Sequence, residues 1–204
     1  SEDIRVLELA AGLNNVEMVM PPVNELLAVT GATHRQLQAL VAAKGPGSFT
    51  GLRIAVSLLK GLSAATMAPI ALVPTLEAHA LPYADSPGLV CSVIDARKRR
   101  FYVQFFRNGE YLTPALDLGP AQIAERDASL RREGEPMTLV GPAAQMLSRR
   151  LGGDALPAPV RRRSAVRGLL VAGSRLLQKG YHLPADGGPL YLRGSEAVFP
   201  RGTR

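Results

Sequence analysis

A mixed α/β fold is predicted for this chain, and three observations predict it. Short apolar runs that read as strands alternate with stretches of helical spacing through all 204 residues. Two of the strand candidates are turned by Asn108-Gly109, a hairpin signal, so the sheet is not wholly parallel. No internal repeat or low-complexity tract breaks the pattern.

Residues 4–9 alternate weakly and form a candidate strand. Residues 14–30 form a candidate helix. Asn14 or Asn15 can cap it, and Val16, Val19, Met20, Val23, Leu26 and Leu27 fall on one stripe. Pro21 and Pro22 predict a kink or a late start, and Gly31 ends the helix. Thr33 caps a short helix to Ala39, and residues 40–43 are a buried strand. A glycine-rich loop over 45–51 leads into a long helix over 50–66, whose small residues permit close approach of neighbours. Residues 70–73 form a strand, and Thr75 caps a short helix to Ala80. Turn-forming residues over 84–88 mark a boundary between a first lobe, 1–86, and a second, 87–204.

The second lobe opens with a strand over 89–96 and a basic turn, Arg97-Lys98-Arg99-Arg100. A returning strand covers 101–106, and Asn108-Gly109 turns it towards Tyr111. Residues 120–131 are helical, 137–140 a strand, and Gly141 opens a helix to Leu151. A loop covers 152–159, and 165–179 is the last clear helix. Residues 187–204 form an extended tail that can pack back on the first lobe.

Hydrophobic residues make up 47% of the chain and mean hydropathy is +0.08, as in a globular protein. Aromatics are 5% with no Trp, which argues against routine stacking of bases on rings. The single cysteine, Cys91, excludes an internal disulfide and any multi-cysteine metal centre, and suits a reducing compartment. His34, His79 and His182 lack a second histidine or a carboxylate at ligand spacing, so no metal site and no catalytic residue are expected. Residues 52–73 are apolar, but Lys60 and Pro69 make them a buried helix and strand rather than a membrane span. No secretory signal is visible, and a start at Ser1 rather than Met leads us to expect an earlier segment.

Charge is uneven. Residues 1–96 carry 5 Lys+Arg against 8 Asp+Glu, while 97–204 carry 19 against 9. Arg supplies 20 of the 24 cations, which favours bidentate phosphate contacts. The turn Arg97, Lys98, Arg99 and Arg100 and the run Arg161-Arg162-Arg163 therefore read either as contacts to RNA phosphates or as solvated loops. Asp95 reads as a turn residue that pairs with Arg97 or a backbone N–H.

The loop with Gly45, Gly47, Ser48, Thr50 and Gly51 is the strongest chemical feature. Its glycines permit positive φ, expected above all at Gly47, and its hydroxyls and the following helix start could hold a phosphate. The Lys-Ser/Thr ending of a P-loop is absent, and a tight strand-to-helix turn without ligand is the other reading. Two helices also carry a second apolar stripe. Met18, Pro22 and Val29 lie opposite the core stripe of the first, and Leu52, Val56, Leu59 and Ser63 widen the apolar arc of the second. Either another chain covers these faces, or strands preceding the chain do.

Lys44-Gly45-Pro46-Gly47-Ser48-Phe49-Thr50-Gly51-Leu52-Arg53-Ile54 resembles the signature of the bacterial TsaB (YeaZ) family. Pro74-Thr75-Leu76-Glu77, Ile94-Asp95-Ala96-Arg97 with Phe101-Tyr102, and Tyr191-Leu192-Arg193 resemble further blocks of that family in the same order. The resemblance implies an actin/Hsp70-like ATPase fold of two ribonuclease-H-like lobes with mixed sheets. It implies a cytoplasmic, non-catalytic scaffold for the complex that installs N6-threonylcarbamoyl on the tRNA adenosine beside the anticodon. A TsaD-like catalytic subunit and a TsaE-like ATPase are its expected partners, with tRNA bound through the complex and a homodimer when alone. No cofactor is implied in the chain itself, and ATP or ADP is admitted at the interface of the assembled complex. The family's opening strand with its Asp-Thr phosphate turn has no match here, Asn15 stands where many relatives have His, and the paired metal-binding histidines of TsaD are absent. The competing expectation is a stand-alone nucleotide-binding ATPase or transferase that uses the 45–51 loop.

Overall fold

The computed structural model describes residues 4–7, 19–152, 156–157, 164–184 and 186–192. Asn14, Asn15, Val16, Met18, Arg161, Arg162, Arg163 and Arg193 lie outside them, so the expectations placed on those residues have no structural counterpart.

The first layer is built on two parallel strands, β1 (Leu40–Gly45) and β2 (Ile70–Pro74). Their side chains alternate between two helical covers, as the period of a strand requires. Leu40, Ala42, Ile70 and Leu72 face α2 (Phe49–Thr66), which buries Val56 against them. Val41 and Val73 face the other way, towards Ala172, Leu169 and Leu176 of α6 (Ser164–Gln178). α6 belongs to the second half by sequence, yet it covers the first sheet. Glycine permits that approach: a Cβ at Gly173 would lie 2.5 Å from Val41 Cγ1.

The second sheet is mixed. Its order is β5 (Glu110–Tyr111), β4 (Phe101–Arg107), β3 (Leu89–Asp95), β7 (Met137–Val140), β8 (Leu156–Pro157), with β6 (Leu116–Leu118) also on the outer edge of β4. β3 and β4 are antiparallel, and β3, β7 and β8 run parallel. One face sets Leu89, Cys91, Val93, Phe101, Val103, Phe105 and Leu139 against Ile123 of α4 (Pro120–Leu130) and Leu147 of α5 (Ala144–Arg150). The other face meets α3 (Thr75–Ala80): Leu76 packs with Ile94 and Tyr102, and Ala80 with Val90, Phe106 and Val140. Ala78 of the same helix points to Val73 and α6, so α3 joins the two cores.

Several expected boundaries move. α1 is Met20–Thr30, with Pro21 and Pro22 in its first turn, where a missing N–H costs least, and Gly31 as a left-handed cap at φ 68. The helix expected over 33–39 is only a 3-10 turn, His34–Gln36. Thr33 stands at its N-cap position and its N–H donates to Gln36 Oε1 at 2.7 Å, but the chain extends at Leu37, which is drawn in beside the α2 core. Thr75 is the first residue of α3 rather than its cap, because its hydroxyl accepts the Gly45 N–H at 3.1 Å. Gly141 does not open α5: it takes φ 101 against the β3 backbone, and the helix starts at Ala144. The loop over 152–159 contains β8, paired to β7, and β6 was not anticipated.

Candidate functional site

The glycine loop leaves β1 and enters α2. Its left-handed residue is Gly45, at φ 113, and not Gly47, which has no positive φ. A Cβ on Gly45 would lie 2.3 Å from the Leu190 carbonyl oxygen, and the Leu190 N–H donates to Lys44 O at 2.7 Å. The close approach that glycine allows is thus used by the chain's own later segment. Ser48 caps α2, its Oγ accepting the Gly51 N–H at 3.3 Å, and Thr50 is exposed in the first turn. The next residue, Tyr191, stacks on Phe49 with ring centroids 4.7 Å apart, and the Arg53 guanidinium lies 4.5 Å over the Phe49 ring. Leu192 packs beside Leu76 and Tyr102. Sequence reading singled out the Tyr191-Leu192 block but did not place it on this loop.

The expected second stripe of α2 is a correction. Leu52 is buried beside the glycine loop, and Val56 is buried with Leu59 packed beside it because that side of the helix lies on β1 and β2. Ser63 Oγ donates to the Ala68 carbonyl at 2.7 Å and closes the end of the helix. α1 differs: none of its residues is buried, Pro22 is half-buried and Val29 is 60% exposed. A His34 Nε2 contact to Asn24 Oδ1, 3.1 Å, ties α1 to the following turn.

At the β3–β4 tip, Arg97, Lys98 and Arg99 are exposed and all left-handed, at φ 63, 51 and 60. Asp95 Oδ1 accepts the Arg97 N–H at 2.8 Å and pairs loosely with its guanidinium at 3.6 Å, the turn role expected for it. Arg100 departs from its neighbours. Its Nε donates to Asp117 Oδ1 at 2.7 Å, so it braces β6.

Packing shifts several further titratable groups among the described residues. Burial raises the Cys91 thiol and lowers His79, and burial raises Glu77 against the pull of Arg175. Arg107 holds Glu135 through a bidentate pair at 2.8 and 2.6 Å, lowering that carboxyl to about 2. Asp127 is raised by burial, against Arg131 at 2.8 Å, and its Oδ1 is buried without a hydrogen-bond partner. Among the described residues no group of three His, Cys, Asp or Glu could hold a metal, and no helix is long and apolar enough to cross a membrane.

A profile of the family described as "TsaD: tRNA N6-adenosine threonylcarbamoyltransferase" matches residues 10–128. The chain is 32% identical over 132 residues to the "tRNA threonylcarbamoyladenosine biosynthesis protein TsaB" of Bacillus subtilis, covering 63% of this chain and 56% of that protein. It is 31% identical over 98 residues to the protein of the same name from Escherichia coli, covering 47% and 42%. The chain belongs to this family, in its TsaB (YeaZ) branch. It spans about half the length of the curated relatives it matches. The solved structure described as "YeaZ from Pseudomonas aeruginosa" superposes with a TM-score of 0.70 at 23% identity, over 91% of this chain and 87% of that one. The fold is therefore of the actin/Hsp70-like type, with its mixed sheet in the second half.

Proposed function

We propose that the chain is a non-catalytic subunit of the cytoplasmic machinery that forms N6-threonylcarbamoyladenosine beside the tRNA anticodon, working with a TsaD-like catalytic subunit. Kinship to proteins named for that biosynthesis supports the reaction. One observation carries the non-catalytic part: the face of Gly45 that a phosphate loop would offer to a ligand is filled by the Leu190 backbone. The glycine loop serves to pack the later segment, and any ATP or ADP sits at the interface of the assembly instead. α1 supplies the docking face, with Val29 exposed, Pro22 half-buried and none of its residues fully buried in its own fold. The TsaD-like subunit covers that face in the complex, and a second copy covers it when the chain is alone. A TsaE-like ATPase completes the set.

Reconstitution tests this. tRNA modification is measured with the TsaD-like subunit, the TsaE-like ATPase and the source of threonylcarbamoyl-adenylate, with and without this chain. Modification should require the chain, and the chain alone should neither modify tRNA nor turn over ATP. Undiminished modification on omission, or turnover by the isolated chain, overturns the reading.

A further inference from the structure

We propose that the tip of the β3–β4 hairpin, Arg97, Lys98 and Arg99, is a preformed contact for the phosphate backbone of RNA; this rests on the function proposed above. The argument begins with backbone conformation. Arg100 N–H donates to Arg97 O at 3.0 Å, so Lys98 and Arg99 are the two central residues of a tight turn. Both have positive φ, which residues bearing a Cβ avoid. The other end of β4 turns through the same region with Asn108 and Gly109, at φ 52 and 78, the pair that adopts it most readily. One strand thus has the unstrained solution at one end and three successive cations at the other.

The strained turn is held from both sides. Asp95 fixes the Arg97 amide, Ala96 N–H donates to Arg100 O at 3.0 Å, and Asp117 clamps Arg100. The cations are thereby presented from a rigid base. The Arg97 side chain is 88% exposed, and its 3.6 Å pair with Asp95 is weak enough to yield to an outside anion. Phosphate fits this tip better than protein does. Three adjacent cations, two of them arginines suited to bidentate phosphate contacts, match a chain of phosphates, and residues 97–99 carry no apolar or aromatic side chain beside them. The excess of 19 cations over 9 anions in residues 97–204 adds long-range attraction.

The test transplants the other turn: Lys98→Asn with Arg99→Gly, studied in the assembled complex with the TsaD-like subunit. The variant should melt roughly 2–4 °C higher as strain is relieved. Its tRNA affinity should fall about tenfold at low salt, and the salt slope of binding should shrink by about 1.4–1.8, the loss of two phosphate contacts. Arg97→Lys with Arg99→Lys keeps the charge and should keep affinity and slope. A higher melting temperature with unchanged affinity and slope makes the tip a solvated turn and overturns the proposal. So does a variant that no longer joins its partner while the complex that does form binds tRNA normally, which marks a protein contact. A variant that melts lower removes the strain argument and overturns it as well. Failure of the proposed function shows separately, as tRNA modification that does not need this chain.

Discussion

The glycine loop and the β3–β4 tip both invite an anion by sequence, and they are built in opposite ways. In the loop the left-handed residue is Gly45, the one residue type that takes φ 113 without strain, and its open face is closed by Leu190. At the tip the left-handed residues are Arg97, Lys98 and Arg99, and no glycine relieves them. The loop uses permissive residues to pack the chain on itself. The tip spends stability to keep charge outside. A ligand motif can therefore be a packing device, and an ordinary-looking basic turn can carry the strain that marks a functional site.

The largest expected effect lies in the loop. Gly45→Val should cost about 3–5 kcal/mol or prevent folding, because it combines a forbidden φ with a collision on the Leu190 backbone. Gly47→Val, whose nearest neighbour beyond the loop is the Leu52 side chain at 3.9 Å, should cost only about 1 kcal/mol. Equal losses in urea unfolding would erase the distinction drawn between the two glycines.

The helix faces give the next effect. Val56→Asp places a charge under β1 and β2 and should destabilise by about 3 kcal/mol or more. Val29→Asp, on exposed α1, should shift stability by less than about 0.5 kcal/mol yet weaken association with the TsaD-like partner in gel filtration. A folded Val29→Asp chain that still co-elutes at low micromolar concentration sinks the α1 docking face.

At the tip, Asp95→Ala removes the acceptor of the Arg97 amide and should cost about 1 kcal/mol. An unchanged melting temperature would show that Asp95 does not hold the turn.

The smallest effects are in the pH dependence of the second half. Glu135 is lowered to about 2 by Arg107, so its contribution is present above the ordinary carboxylate range and is lost as pH falls from about 4.5 towards 2. Asp127 is raised by burial, so its ionisation costs stability: the fold gains as pH falls through its native pKa towards its unfolded value. Melting temperature against pH should lose its acid limb in Glu135→Gln, whereas Asp127→Asn should remove a decline on the neutral side. Parallel profiles for both variants would contradict the opposite signs.

Much of the local structure was legible because its causes are local. The apolar runs over 89–96, 101–106 and 137–140 and the Asn108-Gly109 turn place β3, β4 and β7 within a residue. What was not legible depends on distant partners. Nothing near residue 164 says that α6 covers β1 and β2. The helical wheel of α2 shows a wide apolar arc but not which side meets the sheet, so Leu52, Val56 and Leu59, expected to be covered by another chain or by preceding strands, are covered by the chain's own fold. The sequence points to Gly47 for the positive φ, and only the approach of Leu190, far along the chain, singles out Gly45. Arg100 looked like its neighbours because Asp117 is 17 residues away and on a three-residue strand that no pattern announces. Positive φ at the tip had no signal at all, since the residues that usually mark it are missing there.

The cover that α6 gives the first sheet sets an order on biosynthesis. β2 ends at Pro74 and α6 starts at Ser164, so about 90 residues separate the sheet from its second lid. At ribosomal speeds of about 5–20 residues per second, Val41 and Val73 wait roughly 5–20 s for that lid to be made. The first sheet is therefore made before the second yet finished after the second begins. Its bare sheet face is what a nascent-chain chaperone would meet.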